Sequence, residues 1–182
     1  MRIIAGKFRG LKLNTFEYDN VRPTLDKVRE SIFNKIQFGI NGSTFLDLFS
    51  GTGVFSIEAF SRGASVVYAI DNNANSIKLI NSNLKKTKIS SGIEVVNSDY
   101  KTALIRFADK NIKFDYIFLD PPFNSDFGDK AIDKILELNV LNENGMIIYE
   151  HAIDKPYKEN SGLTVVDEKK SGTILVTYLK RG

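Results

Sequence analysis

The stretch STFLDLFSGTGVF, residues 43–55, passes from an apolar run to a glycine-rich turn and back to apolar residues. Its first half predicts a buried strand, and a helix is predicted from about Val54 to Arg62. Gly51 and Gly53 lie between the two, where glycine lets the backbone turn tightly and approach a ligand closely. The first N–H groups of the following helix point into the same space. The stretch therefore predicts a strand, a ligand-binding turn and a helix in succession.

Strand-like and helix-like segments alternate on both sides of this stretch. A helix is predicted before it, over residues 22–39, with Thr24 as its N-cap and Gly39 at its end. After it, the pattern predicts strands at 65–70, 93–96, 114–119 and 145–150, and helices at 73–88, near 102–108 and at 129–141. Residues 162–179 hold two strand-like runs joined by a polar turn, which predicts an antiparallel hairpin. The alternation predicts an α/β fold with a doubly wound, mostly parallel sheet and an antiparallel C-terminal edge.

The composition suits one globular domain. Of the 182 residues, 42% are hydrophobic and 26% are charged, which allows a sizeable core and leaves little room for a second full domain. The chain has no cysteine and one histidine, so a thiolate site is excluded and no metal is expected. No apolar run reaches the roughly 18 residues that span a bilayer, and the N-terminus lacks a secretory pattern. A cytoplasmic protein without a membrane partner is expected.

Positive charge is concentrated at the N-terminus. Residues 1–12 hold four cations and no acid, whereas the net charge of the whole chain is +3, so the remainder is nearly neutral. Such an arm can bind a phosphate backbone or serve as a solubilising tail, and charge alone leaves both open. The predicted organisation is a basic arm or hairpin over 1–20 and one domain over 21–182. The four cations are Arg2, Lys7, Arg9 and Lys12.

Acidic residues close four successive predicted strands: Asp47, Asp71, Asp99 and Asp120. Asp47 stands four residues before Gly51, where a carboxylate suits a cationic ligand head better than a pyrophosphate. Ser56 occupies the place of the third glycine, so the dinucleotide fingerprint is incomplete. Asp71 can hold both hydroxyls of a ribose, and Asp99 can accept from an adenine amino group or cap the following helix. S-adenosylmethionine (SAM) is the favoured cofactor, and its predicted contacts are Asp47, Phe49, Ser50, Gly51, Gly53, Asp71, Asn72, Ser98 and Asp99.

The run FDYIFLDPPFNSDFG, residues 114–128, places two prolines directly after an acid. Proline cannot donate to a strand ladder, so the strand ends and Asp120 lies at its tip. The Asp120 carboxylate and the Pro121 carbonyl form an acceptor pair for the two N–H bonds of an amino group. Pro122 stiffens this clamp, and Phe123 can stack on a base. The alternative is a rigid turn with an incidental acid, and the upstream glycine turn favours the clamp.

Five segments resemble, in this order, the bacterial 16S rRNA guanine-N2 methyltransferase family that modifies guanine 966. The segments are MRIIAGKFRGLKL, RPTLDKVRESIFN, FLDLFSGTGVFSIEAFSRGA, LDPPF and KSGTILVTYL. The resemblance implies a class I, Rossmann-like fold with seven strands, SAM as the cofactor and methylation of an amino nitrogen. It also implies 16S rRNA within an assembled small ribosomal subunit as the partner, and a monomeric enzyme. Ser56 and the turn VDEKKSG, which lacks an aromatic residue, depart from the family pattern without touching the clamp.

The resemblance also implies contacts with the substrate. The RPT segment of the family borders the cofactor and substrate cleft, which assigns Arg22 and Thr24 to the site; the alternative for both is helix capping. The arm of the family contacts RNA, which places phosphates on Arg2, Lys7, Arg9 and Lys12.

The clamp by itself does not choose the substrate, because it can hold any planar amino group. Adenine N6, cytosine N4 and a protein glutamine amide are alternatives within the same chemistry. A non-catalytic nucleic-acid-binding module and a nicotinamide-dependent oxidoreductase are alternatives from other classes. Guanine N2 lies on the pairing edge of the base, so the target guanine is expected to be unpaired or extruded.

Overall fold

The computed structural model describes residues 1–16, 23–122, 125–158 and 162–182, and of residues 23–25 it describes the backbone alone. In chain order, the elements are α1 (Pro23–Lys35), β1 (Thr44–Asp47), α2 (Val54–Ser61), β2 (Val66–Asp71), α3 (Ala74–Thr87), β3 (Ile93–Asn97), α4 (Tyr100–Asp109), β4 (Phe114–Leu119), α5 (Phe127–Glu137), β5 (Leu141–Ala152), β6 (Leu163–Ser171) and β7 (Ile174–Arg181). Three predicted site residues lie outside the described part: Arg22, Phe123 and the side chain of Thr24.

The strands form one seven-stranded sheet in the order β3-β2-β1-β4-β5-β7-β6. The five strands from β3 to β5 in this order pair in parallel, while β7 pairs antiparallel with both β5 and β6. The predicted doubly wound sheet with an antiparallel C-terminal hairpin is thus confirmed. The strand order reverses between β1 and β4, so the carboxyl ends of these two strands enclose the crevice where ligands bind in such sheets.

Several predicted boundaries need correction. Helix α1 begins at Pro23, so Thr24 lies inside its first turn instead of capping it, because proline fits the first helical position without losing a hydrogen bond. Helix α5 ends at Glu137, and the predicted helical residue Leu141 begins β5. The left-handed backbone of Asn139, with φ of 53°, ends the helical path between them.

Helices cover both faces of the sheet. On one face Ile32 and Phe33 of α1 pack with Phe45 of β1 and Phe118 of β4. On the other face the buried residues of α4 and α5 pack against a separate set of sheet residues: Leu46, Ile70, Ile117, Leu119 and Ile147. This burial on both sides explains why the strands read as apolar runs. None of the helices in the described part is long and apolar enough to cross a membrane.

The basic arm is docked on the domain. Ile3 is fully buried and packs with Val54 and Ile57 of α2. The backbone N–H groups of Ile4 and Ala5 donate to the two carboxylate oxygens of Glu58, at 2.8 and 3.0 Å. The interpretation of the arm as a solubilising tail is therefore wrong for the described residues 1–16.

Candidate active site

The turn between β1 and α2 is shaped by two glycines in the left-handed region. Gly51 has φ of 51° and Gly53 has φ of 74°. A Cβ on Gly53 would lie 2.9 Å from Cγ1 of Ile80, so this glycine lets α3 approach the turn. A Cβ on Gly51 would meet nothing within 4 Å, so the space beside it stays open for a ligand. Of these two glycines, both predicted to contact the cofactor, Gly51 lines the site, whereas Gly53 lines neither of its cavities and supports the turn from behind.

Asp71, at the end of β2, holds the same turn. One carboxylate oxygen accepts a hydrogen bond from Gly51 N at 2.8 Å, and the other accepts from Asn73 N at 2.8 Å. The carboxylate also forms part of the wall of a cavity of about 430 Å³ at the carboxyl ends of β1, β2 and β3. The structure brings six of the predicted cofactor residues together on this wall: Phe49, Gly51, Asp71, Asn72, Ser98 and Asp99.

Asp99 has the helix-capping role that was the alternative to cofactor binding. Its carboxylate accepts from Thr102 N at 3.0 Å and from Thr102 Oγ1 at 2.6 Å, at the start of α4. These hydrogen bonds lower the pKa of Asp99. The carboxylate stands on the wall of the larger cavity at the same time, so the contact with an adenine amino group stays a prediction.

Asp47 is buried at the end of β1, with 1% of its surface exposed. One carboxylate oxygen accepts from Ser56 N at 3.1 Å and from Ser56 Oγ at 2.6 Å. The other oxygen has no hydrogen-bond partner, and burial raises the pKa of Asp47 to about 7. Ser56, which is a departure from a glycine pattern, therefore orients this acid. Asp47 lines a second cavity of about 270 Å³, together with Ser50 and Phe49.

Asp120 follows the last residue of β4 and forms part of the wall of both cavities. Burial, and then the charge of Glu150, raise the pKa of Asp120 well above its ordinary value. The carbonyl of Pro122 accepts hydrogen bonds from Ser125 N at 3.2 Å and from Ser125 Oγ at 2.7 Å. The carbonyl of Pro121 accepts none from the described residues, which leaves it available as the second acceptor of the predicted clamp.

Two buried charged residues of the site were missed in the sequence-based prediction. Glu150, on β5, is 5% exposed and lines the smaller cavity beside Asp120. Arg29, on α1, is 1% exposed; it lines the same cavity and donates to the Arg2 carbonyl at 2.7 Å and to Asp26 Oδ1 at 3.1 Å. Glu150 carried a usable signal, because it is an acid near the end of a predicted strand, as are the four acids that were identified.

The arm adjoins this site at both of its described ends. Met1 and Phe16 lie on the wall of the smaller cavity. Asn83 of α3 links the arm to the glycine turn, because its amide nitrogen donates to the carbonyls of Asn14 at 3.1 Å and Thr52 at 3.2 Å. The four predicted RNA-binding side chains are exposed and line neither cavity: Arg2, Lys7, Arg9 and Lys12.

The sheet order, the open glycine turn and the acids at successive strand ends define an α/β methyltransferase of the class that uses SAM. Residues 1–180 match the family model described as Conserved hypothetical protein 95, and the chain belongs to this family. Within this class, the Asp-Pro-Pro sequence that follows β4 fits a methyltransferase that acts on an amino nitrogen.

Known proteins of similar sequence and structure agree with this class. YlbH of Bacillus subtilis, provisionally named an rRNA methyltransferase, is 36% identical over the whole of both chains. Ribosomal RNA small subunit methyltransferase D of Haemophilus influenzae is 34% identical over 96% of this chain and 90% of its own. The solved structure of yhhF from Escherichia coli, provisionally named a methyltransferase, has a TM-score of 0.87 and 29% identity, covering 100% of this chain and 97% of its own.

Proposed function

We propose that this protein transfers the methyl group of SAM to N2 of an unpaired guanine in small-subunit rRNA. The observation that carries the proposal is the position of Asp120 on the shared wall of the two cavities. An amino nitrogen held by Asp120 lies between the cavity of Asp71 and the cavity of Asp47. The similarity to a protein named as a small-subunit rRNA methyltransferase supports the choice of RNA as substrate.

The walls of the two cavities fit the chemical groups of SAM. Asp71 would accept from the ribose hydroxyls and Asp99 from the adenine amino group in the 430 Å³ cavity. Asp47 would face the ammonium or sulfonium group with its unpartnered oxygen in the 270 Å³ cavity. When bound, SAM supplies a methyl group that is already activated on sulfur, so the protein contributes binding and alignment.

The clamp solves a problem of nucleophilicity. The lone pair of a base amino group is delocalised into the ring, which makes the nitrogen a poor nucleophile. The Asp120 carboxylate and the Pro121 carbonyl would each accept a hydrogen bond from one N–H group of the amino nitrogen. Together they would draw the nitrogen out of conjugation and aim its lone pair. The hydrogen bonds from Ser125 to the Pro122 carbonyl anchor the turn that presents these acceptors.

Asp120 is also placed to accept a proton. Transfer would form the nitrogen–carbon bond as the sulfur–methyl bond breaks, which would leave S-adenosylhomocysteine and a cationic nitrogen that must lose one proton. The raised pKa of Asp120 makes its carboxylate a better proton acceptor than an exposed aspartate. No strong base is needed before transfer, because a methylated base ammonium is very acidic.

The arm would bind the RNA around the target nucleotide. Its four exposed cations lie on a segment that Glu58 and Arg29 fasten to the domain, so phosphates would be held at a defined place. We propose a monomer that acts on an assembled small subunit, where rRNA folding presents the guanine unpaired. Because bacterial ribosomes are assembled in the cytoplasm, this substrate implies a cytoplasmic location.

The proposal is tested by incubating the protein with labelled SAM and either undermethylated small subunits or naked rRNA. The labelled nucleoside is then identified. N2-methylguanosine is expected, with more label in assembled subunits than in naked rRNA. Label in N6-methyladenosine, or no label in RNA, would overturn the proposal.

Asp120→Ala is expected to abolish transfer while SAM binding is largely retained. Asp109→Ala, at an exposed aspartate that ends α4, is the matched control and should leave both unchanged. Loss of SAM binding in Asp120→Ala would make Asp120 a cofactor residue instead of a clamp residue.

A further inference from the structure

Glu150 lies beside Asp120 because of the register between β4 and β5. Leu119 pairs with Tyr149 in these parallel strands, so the residues that follow them, Asp120 and Glu150, lie at the same level. Neighbouring strands lie about 4.8 Å apart, and side chains at paired positions point to the same face. Asp120 and Glu150 accordingly share the wall of the 270 Å³ cavity. They also share the wall of a third cavity, of about 30 Å³, beside Pro121 and Pro122.

The Glu150 carboxylate has no structural use in the described part of the protein. It accepts no hydrogen bond from the described residues and forms no ion pair with them. Arg29, the cation in the same cavity, pairs instead with Asp26 at 3.1 Å and approaches Glu58 at 3.9 Å. A carboxylate that is 5% exposed and has no hydrogen bond or ion pair with the described residues is expensive to keep, so a ligand is its natural partner.

The atoms next to the methylated amino group differ among the bases. In guanine, N2 is flanked on the pairing edge by N1–H, which is a donor. In adenine and cytosine, the ring nitrogen flanking the amino group on that edge is an acceptor. Asp120 and the Pro121 carbonyl grip an amino group of any base, so they do not distinguish these cases. A second carboxylate next to the clamp distinguishes them, because it attracts a ring N–H and repels a ring lone pair.

We propose that Glu150 is the residue that selects guanine, by accepting a hydrogen bond from guanine N1–H while Asp120 holds N2. This inference rests on the proposed function and names the specificity determinant of the same site. Adenine and cytosine would set their ring lone pair against the Glu150 carboxylate and lose the transfer geometry.

The protonation of Glu150 agrees with this role. Burial raises the pKa of Glu150 to about 7, and its charge in turn raises the pKa of Asp120. A carboxylate poised near neutrality is ionised when an N–H donor arrives, since a hydrogen bond to the charged form favours that form. Two adjacent donors, N1–H and N2–H, therefore suit two adjacent carboxylates that accept no hydrogen bond from the described residues.

The test compares guanine with 2-aminopurine at the target position of small subunits reconstituted with otherwise identical rRNA. The analogue keeps the N2 amino group but has an acceptor at N1. Wild-type protein should transfer methyl to guanine about 10- to 100-fold faster than to 2-aminopurine. In Glu150→Gln this preference should shrink at least several-fold, because an amide can turn its donor toward the N1 lone pair.

Glu143→Gln, at an exposed glutamate of the same strand, is the matched control and should keep the wild-type preference. If Glu150→Gln transfers too slowly for rates to be compared, the same ratio is measured as equilibrium affinity for the two subunit forms with S-adenosylhomocysteine bound. An unchanged ratio in Glu150→Gln would overturn this inference while the proposed function stands. Wild-type protein that methylates no guanine would overturn the proposed function itself.

Discussion

Glu58 of α2 and Glu150 of β5 are both deeply buried, at 0% and 5% exposure, and they differ in their partners. Glu58 accepts from Ile4 N, Ala5 N and Arg62 Nε, with Arg29 Nε 3.9 Å away. Glu150 has no partner in the described part of the chain, and burial raises its pKa to about 7. A buried charge whose hydrogen bonds are satisfied thus holds structure together, whereas one that lacks them at a cavity marks a place for a ligand.

The largest expected effect is on the free energy of unfolding when Glu58, the buried glutamate with satisfied hydrogen bonds, is replaced. Glu58→Ala leaves Arg62 without its buried partner and removes the acceptors of two arm N–H groups. Breaking such a pair is expected to lower the free energy of unfolding by about 3–5 kcal/mol. Urea denaturation measures the change, with Glu94→Ala on the edge strand β3 as an exposed control. A loss below about 1 kcal/mol would contradict the view that Glu58 fastens the arm.

Asp47→Asn tests another buried carboxylate that has an unpartnered oxygen, through its effect on the affinity for SAM. The amide can keep the hydrogen bonds to Ser56 but loses the charge, so affinity for SAM should fall about 10- to 100-fold. Titration calorimetry measures this, and an equal loss for S-adenosylhomocysteine would identify the ammonium group as the partner. Wild-type affinity should rise with pH through about 7, as Asp47 ionises, although Asp120 and Glu150 titrate in the same cavity. Unchanged affinity for both ligands would contradict a cationic contact at Asp47.

Glu150→Gln should stabilise the unliganded protein. Glu150 binds its proton more tightly in the folded protein, where its pKa is about 7, than in the unfolded chain, where it is near 4.5. The folded state therefore loses stability as pH rises from about 4.5 through 7, and the substitution removes this loss. The melting temperature should rise by roughly 2–6 °C at pH 8, and by much less at pH 5, where Glu150 is protonated.

Differential scanning calorimetry at both pH values measures this effect. The groups that share the cavities with Glu150 come from α1, β1, the end of β4, β5 itself and the region after β5: Arg29, Asp47, Asp120, His151 and Lys155. Glu143→Gln is the exposed control and should change neither melting temperature. A drop in melting temperature at pH 8 for Glu150→Gln would show that the carboxylate has a structural partner.

The smallest effect is expected from the exposed cations of the docked arm. Lys7→Ala combined with Arg9→Ala should leave stability nearly unchanged, because both side chains are exposed. It should weaken rRNA binding and lower the slope of log affinity against log salt by roughly 1.5–2. Binding measured over a salt series tests this, with the exposed Lys110→Ala at the end of α4 as the control. An unchanged slope would remove both side chains from the RNA interface.

The features that could be predicted from sequence are those encoded by neighbouring residues. Gly51 and Gly53 specify a left-handed turn, and Pro121 and Pro122 specify the end of a strand, wherever the chain places them. The order of apolar runs and helical segments specified seven strands, of which the first five are parallel and the last two form an antiparallel hairpin. The errors occurred at element ends, as at Leu141, where a helical pattern and a strand meet and pairing with Phe114 decides the outcome.

The amino-acid sequence by itself determined the order of elements, the glycine turn and the strand end that precedes Asp120, because each depends on local backbone chemistry. Only the tertiary structure decided that the arm is docked, through a hydrogen bond between residues 54 positions apart in the chain. Only the tertiary structure set Glu150 beside Asp120, through the register of β4 and β5. Long-range pairing of this kind follows from packing over the whole sheet, and no local pattern of residues records it.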